Sequence, residues 1–250
     1  WTEVVPEDPD ATIEAAGTVG GRLVVAYLKN ASSELRVVDV ATKETRVVPL
    51  PTVGTVTSFT GDDDRDELFY AFSSFTVPQQ VYRADVVKPG AALFAKVELP
   101  VDTDRFLVEQ VRYPSKDGTQ VSMFLVRRRD LAPDGARPVH LYGYGGFDVS
   151  LTPAFRASIY PWLEAGGIYA VANLRGGGEY GKAWHDAGKG ARKQNVFDDF
   201  AAAARWLVAS GWSNAKRIAI SGGSNGGLLT GARPKRPRNP TEHSPSSQVG

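Results

Sequence analysis

With 250 residues, 42% of them hydrophobic and 10% aromatic, the chain has material for one large globular domain or two smaller ones. Its 29 Lys and Arg offset 28 Asp and Glu to leave a net charge of +1. The overall charge therefore argues for no nucleic-acid and no membrane partner, and no apolar run approaches the roughly 18–20 residues that span a bilayer. The absence of cysteine excludes disulfides, thiolate catalysis and Cys-based zinc sites.

The first hundred residues predict strands. Arg22 to Leu28, Glu34 to Val40 and Thr45 to Pro51 are separated by turn clusters such as Lys29-Asn30-Ala31-Ser32-Ser33. The series recurs at Thr55 to Phe59, Glu67 to Phe72, Gln80 to Val86 and Ala95 to Pro100. Val48-Pro49-Leu50-Pro51 is echoed by Val97-Glu98-Leu99-Pro100, and Leu50 and Leu99 lie 49 positions apart. That spacing is near the roughly 40–50-residue period of propeller blades. One blade cannot bury its faces alone, and propellers close with about 4–8 blades. Residues 1–104 are therefore read as the last two blades of a β-propeller whose other blades precede Trp1, with an unrelated antiparallel sheet as the alternative. The acidic run Asp62-Asp63-Asp64-Arg65-Asp66 lacks calcium-loop spacing and is expected to tip a turn.

From Phe106 the pattern changes. Leu107 to Tyr113 and Gln120 to Val126 flank Ser115-Lys116-Asp117-Gly118, a hairpin turn of the Asp-Gly type. Pro138 to Tyr142 reads as a strand running into the loop Gly143-Tyr144-Gly145-Gly146-Phe147. Ala154 to Ala165 has helical apolar spacing, Ile168 to Ala172 suits a buried parallel strand, and Val196 to Ser210 is an amphipathic helix closed by Gly211. Strands alternating with helices over residues 105–231 predict an α/β domain with a mostly parallel sheet.

The last predicted strand, Arg217 to Ser221, enters Gly222-Gly223-Ser224-Asn225-Gly226, a G-x-S-x-G pattern followed by Leu228-Leu229. This is the layout of a nucleophile elbow, in which a strand-to-helix turn lifts a serine hydroxyl above the sheet. An acyl-transfer serine also needs donors for the developing oxyanion. In this architecture one is the backbone N–H after the serine, here Asn225, and the other comes from the loop after an earlier strand, where Tyr142-Gly143-Tyr144-Gly145-Gly146 stands. Spacing alone leaves its tyrosines equally open to donating or to packing. Gly176-Gly177-Gly178-Glu179-Tyr180-Gly181 also satisfies G-x-G-x-x-G, but Ala183 replaces the metal-binding hydroxyl of a phosphate loop and Asp198 falls within a helix. Nucleotide binding is rejected, and no cofactor or metal is expected.

These segments resemble the prolyl oligopeptidase family of serine peptidases. The resemblance runs through Tyr113 to Thr119, Leu141 to Phe147, Ala172 to Gly181, Trp184-His185, Lys193 to Phe200 and Gly222 to Gly227, and is looser over the strands before Phe106. It implies an α/β-hydrolase domain preceded by the last blades of a propeller, with Ser224 as nucleophile and an oxyanion hole formed by the Tyr144 hydroxyl and the Asn225 N–H. Asn225 favours the branch that cleaves short peptides after proline. The resemblance further implies a monomeric complete parent, cytoplasmic, or periplasmic or secreted if a signal peptide has been lost. An α/β-hydrolase esterase and a non-catalytic truncated product are the alternatives.

In α/β hydrolases the acid and the histidine follow the serine in the chain. Residues 232–250 hold four prolines and four basic residues without apolar periodicity, a composition expected to be disordered and unlike the family. Glu242 and His243 are adjacent there without a scaffold, and His140 and His185 precede the serine and are read as structural. The chain is thus expected to be a family member broken off after its nucleophile, with a shifted reading frame after about Thr230 as one origin of the tail. Without the triad Asp and His it is expected to be inactive.

Overall fold

The structure is a computed structural model describing residues 2–232. Eight strands occupy the first hundred residues. β1 (Ala11–Val19), β2 (Arg22–Lys29), β3 (Ser32–Val38) and β4 (Thr45–Val48) form one four-stranded sheet in sequential order. β5 (Thr55–Thr60), β6 (Glu67–Ser73), β7 (Gln80–Asp85) and β8 (Ala91–Lys96) form a second. Every pairing in both is antiparallel. The sheets share one core, in which Val24, Leu35 and Val48 pack with Leu68, Tyr70 and Phe72. Each such side chain, removed fully from water, contributes about 1.5–3 kcal/mol.

Two strands depart from the sequence reading. β1 was not expected; its side chains are mostly exposed, so no buried alternation marks it. Pairing with β2 along its length, through a bulge between Ile13 and Ala15, holds it in place. β8 lies earlier than Ala95 to Pro100, and all its residues are exposed. The Val-x-Leu-Pro echo lies largely beyond its strands instead of ending them, since β4 stops at Val48, the first residue of one copy, and β8 stops at Lys96, before the other. Pro49 has no N–H to continue the ladder. Asp62 to Asp66 lie in the turn between β5 and β6, as expected.

The third sheet comprises β9 (Phe106–Pro114), β10 (Gln120–Arg128), β11 (Val139–Gly143), β12 (Ile168–Ala172) and β13 (Ile218–Ser221), in the order β13-β11-β12-β10-β9. β11 pairs in parallel with β12 and β13, whereas β10 is antiparallel to both β9 and β12. The sheet is therefore mixed, which corrects the expectation of mostly parallel pairing. One of the two antiparallel pairings has a local cause: the Ser115–Thr119 turn, with Gly118 at φ +84°, joins β9 to β10 too tightly for a parallel crossover.

Short helices cover this sheet. α1 (Tyr160–Glu164), preceded by a 3-10 turn at Ala157–Ile159, replaces the longer helix expected from Ala154. Pro161 fits only the first turn of a helix, and Arg156 before that turn is extended at φ −137°. α2 (Gly181–Asp186) was not foreseen. α3 (Gln194–Ala209) presses Val196, Phe200, Ala203 and Leu207 onto the sheet residues Val121, Leu141 and Ala170. α4 (Asn225–Gly231) follows β13, an edge of the described sheet, where Ile220 and Leu228 are 49% and 58% exposed. On the opposite face from α3, Ala31 in the β2–β3 turn and Phe75 just after β6 pack with Phe106, Phe124, Tyr160 and Tyr169. Thr55 Oγ1 donates to the Pro153 carbonyl at 2.8 Å, which adds a polar tie between the two parts.

Candidate active site

The turn from β13 into α4 depends on two glycines. A Cβ on Gly222 would lie 2.8 Å from the Gly143 carbonyl oxygen and 2.6 Å from that of Gly226, and a Cβ on Gly226 would lie 2.7 Å from the same Gly143 oxygen. The outer glycines of G-x-S-x-G thus let the elbow sit directly on the end of β11. Between them, Ser224 takes φ +52° and ψ −115°, a conformation that L-residues rarely adopt and that persists only where its surroundings enforce it. The Gly227 N–H closes the first turn on the Ser224 carbonyl at 2.8 Å. Ser224 itself is exposed, and among the described residues no hydrogen bond engages its hydroxyl.

Gly143 leads directly into Tyr144, so the same contact brings the second predicted element to the serine. The Asn225 Nδ2 donates to the Tyr144 carbonyl at 2.6 Å. Gly146 faces the same amide so closely that a Cβ there would lie 2.5 Å from Asn225 Nδ2. As the first residue of α4, Asn225 has a backbone N–H without an intrahelical acceptor. Tyr142 packs inward among the aromatic residues beside α1, whereas Tyr144 is half-buried at the loop. Ser224, Asn225 and the Tyr144 loop therefore meet at the end of β11 and β13.

Lys193, at the start of α3, joins them. Its Nζ donates to the Gly145 carbonyl at 2.7 Å and to Asn225 Oδ1 at 3.3 Å. Burial draws its ammonium below the ordinary lysine pKa. Sequence reasoning assigned Lys193 no role, because a single cation ahead of an amphipathic helix carries no spacing signal.

The described histidines are engaged elsewhere. His140 Nε2 lies 2.5 Å from Ser221 Oγ on the neighbouring strand, and its ring packs edge-on against Tyr169 and Trp162. Burial lowers its pKa. This Ser–His pair was not anticipated, but Ser221 belongs to a regular strand and not to the strained turn. His185 Nδ1 lies 2.8 Å from the Gly176 carbonyl oxygen. Glu242 and His243 fall outside the described residues.

The triple-glycine segment packs beneath the Tyr144 loop, with Gly176 at φ +90° close against the Gly145 carbonyl. Glu179 at its end is 2% exposed; its Oε1 accepts from the Leu151 N–H at 2.9 Å and its Oε2 has no partner among the described residues. Burial raises its carboxyl from 4.5 to about 7. The folded protein therefore keeps this proton where the unfolded chain has lost it. Stability falls as pH rises from 4.5 towards about 7 and levels off above. Glu179→Gln should remove that slope and add about 1–3 kcal/mol at about pH 8. Urea midpoints at acidic and alkaline pH in a full-length protein carrying this segment check it, and an unchanged slope would contradict it.

A serine at a strained strand–helix turn, beside a glycine-rich loop and above a sheet flanked by helices, has the local layout of a nucleophile elbow. Comparison with known proteins agrees. Residues 153–238 match the prolyl oligopeptidase family, and residues 1–97 match the N-terminal beta-propeller domain of prolyl oligopeptidase. A prolyl endopeptidase of Elizabethkingia miricola is 40% identical over 232 residues, covering 93% of this chain and 33% of the relative. A prolyl oligopeptidase of Omphalotus olearius is 41% identical over 236 residues, covering 92% and 32%. Among solved structures, one from a structural and mechanistic analysis of two prolyl endopeptidases superposes with a TM-score of 0.85 at 55% identity, covering 92% of this chain and 34% of that one. Prolyl oligopeptidase B from Galerina marginata, bound to a 35mer substrate, gives 0.83 at 34% identity, covering 91% and 33%.

The chain belongs to the prolyl oligopeptidase family. It spans about a third of the length of the curated relatives it matches.

Proposed function

We propose that these residues carry the nucleophile of a serine endopeptidase that cleaves short peptides on the carboxyl side of proline. The observation that carries the reading is Ser224, exposed at φ +52° on a turn clamped to the end of β11. Residues 1–104 form propeller blades that screen large substrates, and residues 105–231 form the first part of the peptidase domain. Ser224 Oγ attacks the carbonyl carbon of the proline residue itself, and its proton passes to a histidine from outside the described residues. The carbonyl oxygen becomes an oxyanion held by the Tyr144 hydroxyl and the Asn225 N–H. Collapse expels the amine and leaves an acyl group on Ser224, which water then removes. The relatives' names as prolyl endopeptidases and prolyl oligopeptidases support the proline preference.

The same chemistry implies that residues 2–232 alone turn over little or no substrate, because a serine without its base is a weak nucleophile. The substrate reading is tested by comparing peptide amides with proline or alanine before the scissile bond, alongside a simple ester, in a full-length protein carrying this segment. Proline should be favoured in kcat/KM by about 10²-fold. Equal rates on both amides with faster ester cleavage would instead indicate a general esterase on the same fold.

A further inference from the structure

Lys193 is poorly placed for the helix it opens. It occupies the N-cap of α3, gives no side-chain capping bond, and sets a positive charge at the end where the helix dipole disfavours one. It is half-buried, and among the described residues it pairs with no carboxylate. Its two hydrogen bonds go instead to the two pieces of chain that carry the proposed oxyanion donors. One is the Gly145 carbonyl, next to Tyr144; the other is the side chain of Asn225, whose own Nδ2 holds the Tyr144 carbonyl. Lys193, Asn225 and the Tyr144–Gly145 segment thus form a closed loop of hydrogen bonds.

We propose that Lys193 is a positioning residue that fixes the separation between the Tyr144 hydroxyl and the Asn225 N–H, so that both meet the same oxyanion. The inference rests on the function proposed above. The Gly145 carbonyl oxygen and the Asn225 amide oxygen are both acceptors and cannot hydrogen-bond each other, and Lys193 Nζ, within reach of both, is the donor they share. An ammonium has three donors and no acceptor, and it bridges the two oxygens without either segment moving. Donor pairs act on the transition state only when preorganised, and displacement by about 1 Å costs on the order of 10²-fold in rate.

The test uses Lys193→Met, Lys193→Arg and Asn225→Ala in a full-length protein carrying this segment. Lys193→Met should lower kcat by about 10- to 100-fold with KM within about twofold. It should weaken a proline-terminated peptide aldehyde, whose adduct with serine bears the oxyanion, by the same factor as kcat. Binding of the corresponding alcohol, which forms no adduct, should not change. Lys193→Arg should restore part of the loss. Combining Lys193→Met with Asn225→Ala should cost little more than the larger single effect, because both break the same loop. Wild-type kcat and aldehyde affinity in Lys193→Met would overturn the proposal, as would strictly additive losses. Failure of Lys193→Met to melt cooperatively would also overturn it, since the lysine would then serve stability. Ser224→Ala separates the two levels: if that variant stays active, the parent reading fails and not the positioning role alone.

Discussion

If Ser224 is the nucleophile proposed above, Ser224→Ala in a full-length protein carrying this segment should lower kcat on a proline amide by about 10⁵–10⁶-fold while KM changes little. Removing Oγ eliminates the acyl-enzyme route, and only direct attack by water remains. On the proposed assignment the Tyr144 hydroxyl and the Asn225 N–H would still surround the carbonyl, and a residual acceleration of about 10³ over the uncatalysed reaction should persist. The fold tolerates the change because Ser224 is exposed and its hydroxyl makes no hydrogen bond among the described residues. Alanine at φ +52° adds no atoms to a position that already bears a Cβ. The control is Ser221→Ala, which removes the partner of His140 Nε2 on β13 and leaves kcat within about threefold. Retained activity in Ser224→Ala together with loss in Ser221→Ala would transfer the chemistry to the Ser221–His140 pair.

Asp199→Ala should destabilise the protein by about 3–5 kcal/mol, the cost of leaving a buried charge unpaired. Asp199 is fully buried on α3 and accepts from Ser115 Oγ at 2.5 Å, from Arg175 Nη2 at 2.6 Å and from the Arg175 backbone N–H at 3.1 Å. Arg175, 4% exposed, also donates to Asp117 Oδ2 at 2.6 Å and holds that carboxyl down at about 2. The cluster joins α3, the segment after β12 and the β9–β10 turn. Without Asp199 the guanidinium keeps one carboxylate, Asp117, whose side chain is 48% exposed, and the neutral hydroxyls of Ser115 and Thr119. Since Gly176 follows Arg175 and lies against the Gly145 carbonyl, the disturbance reaches the Tyr144 loop. Denaturant midpoints give the measurement, and a shift worth under about 1 kcal/mol would show that the cluster is solvated or substitutable. Its Asp117 arm is pH-dependent in the usual carboxylate sense: stabilising above 3.8 and lost as pH falls towards about 2.

The elbow was legible in the sequence because its spacing is a steric requirement. Gly222 and Gly226 must both clear the Gly143 carbonyl, which a Cβ at either position would approach within 2.8 Å. The buried strands were legible for a similar reason: β12 is wholly buried and reads as a continuous apolar run. β1 and β8 were missed or misplaced because exposed strands are held by backbone pairing, which leaves little trace in side-chain type. The longer first helix failed because apolar spacing at Phe155, Ile159 and Trp162 ignored Pro161. Lys193 and the Ser221–His140 pair were invisible for a different reason. Each depends on contacts between residues 32 to 81 positions apart that only the assembled sheet creates.

The most direct measurement is phosphonylation by a fluorophosphonate in a full-length protein carrying this segment, with the modified residue located by peptide fragmentation. Such reagents trap a serine only where a base and an oxyanion hole act on it together. The expected result is one label per molecule on Ser224, prevented by a proline-containing competitor. A label on Ser221, or on neither serine in an enzyme that still cleaves peptides, would contradict the assignment.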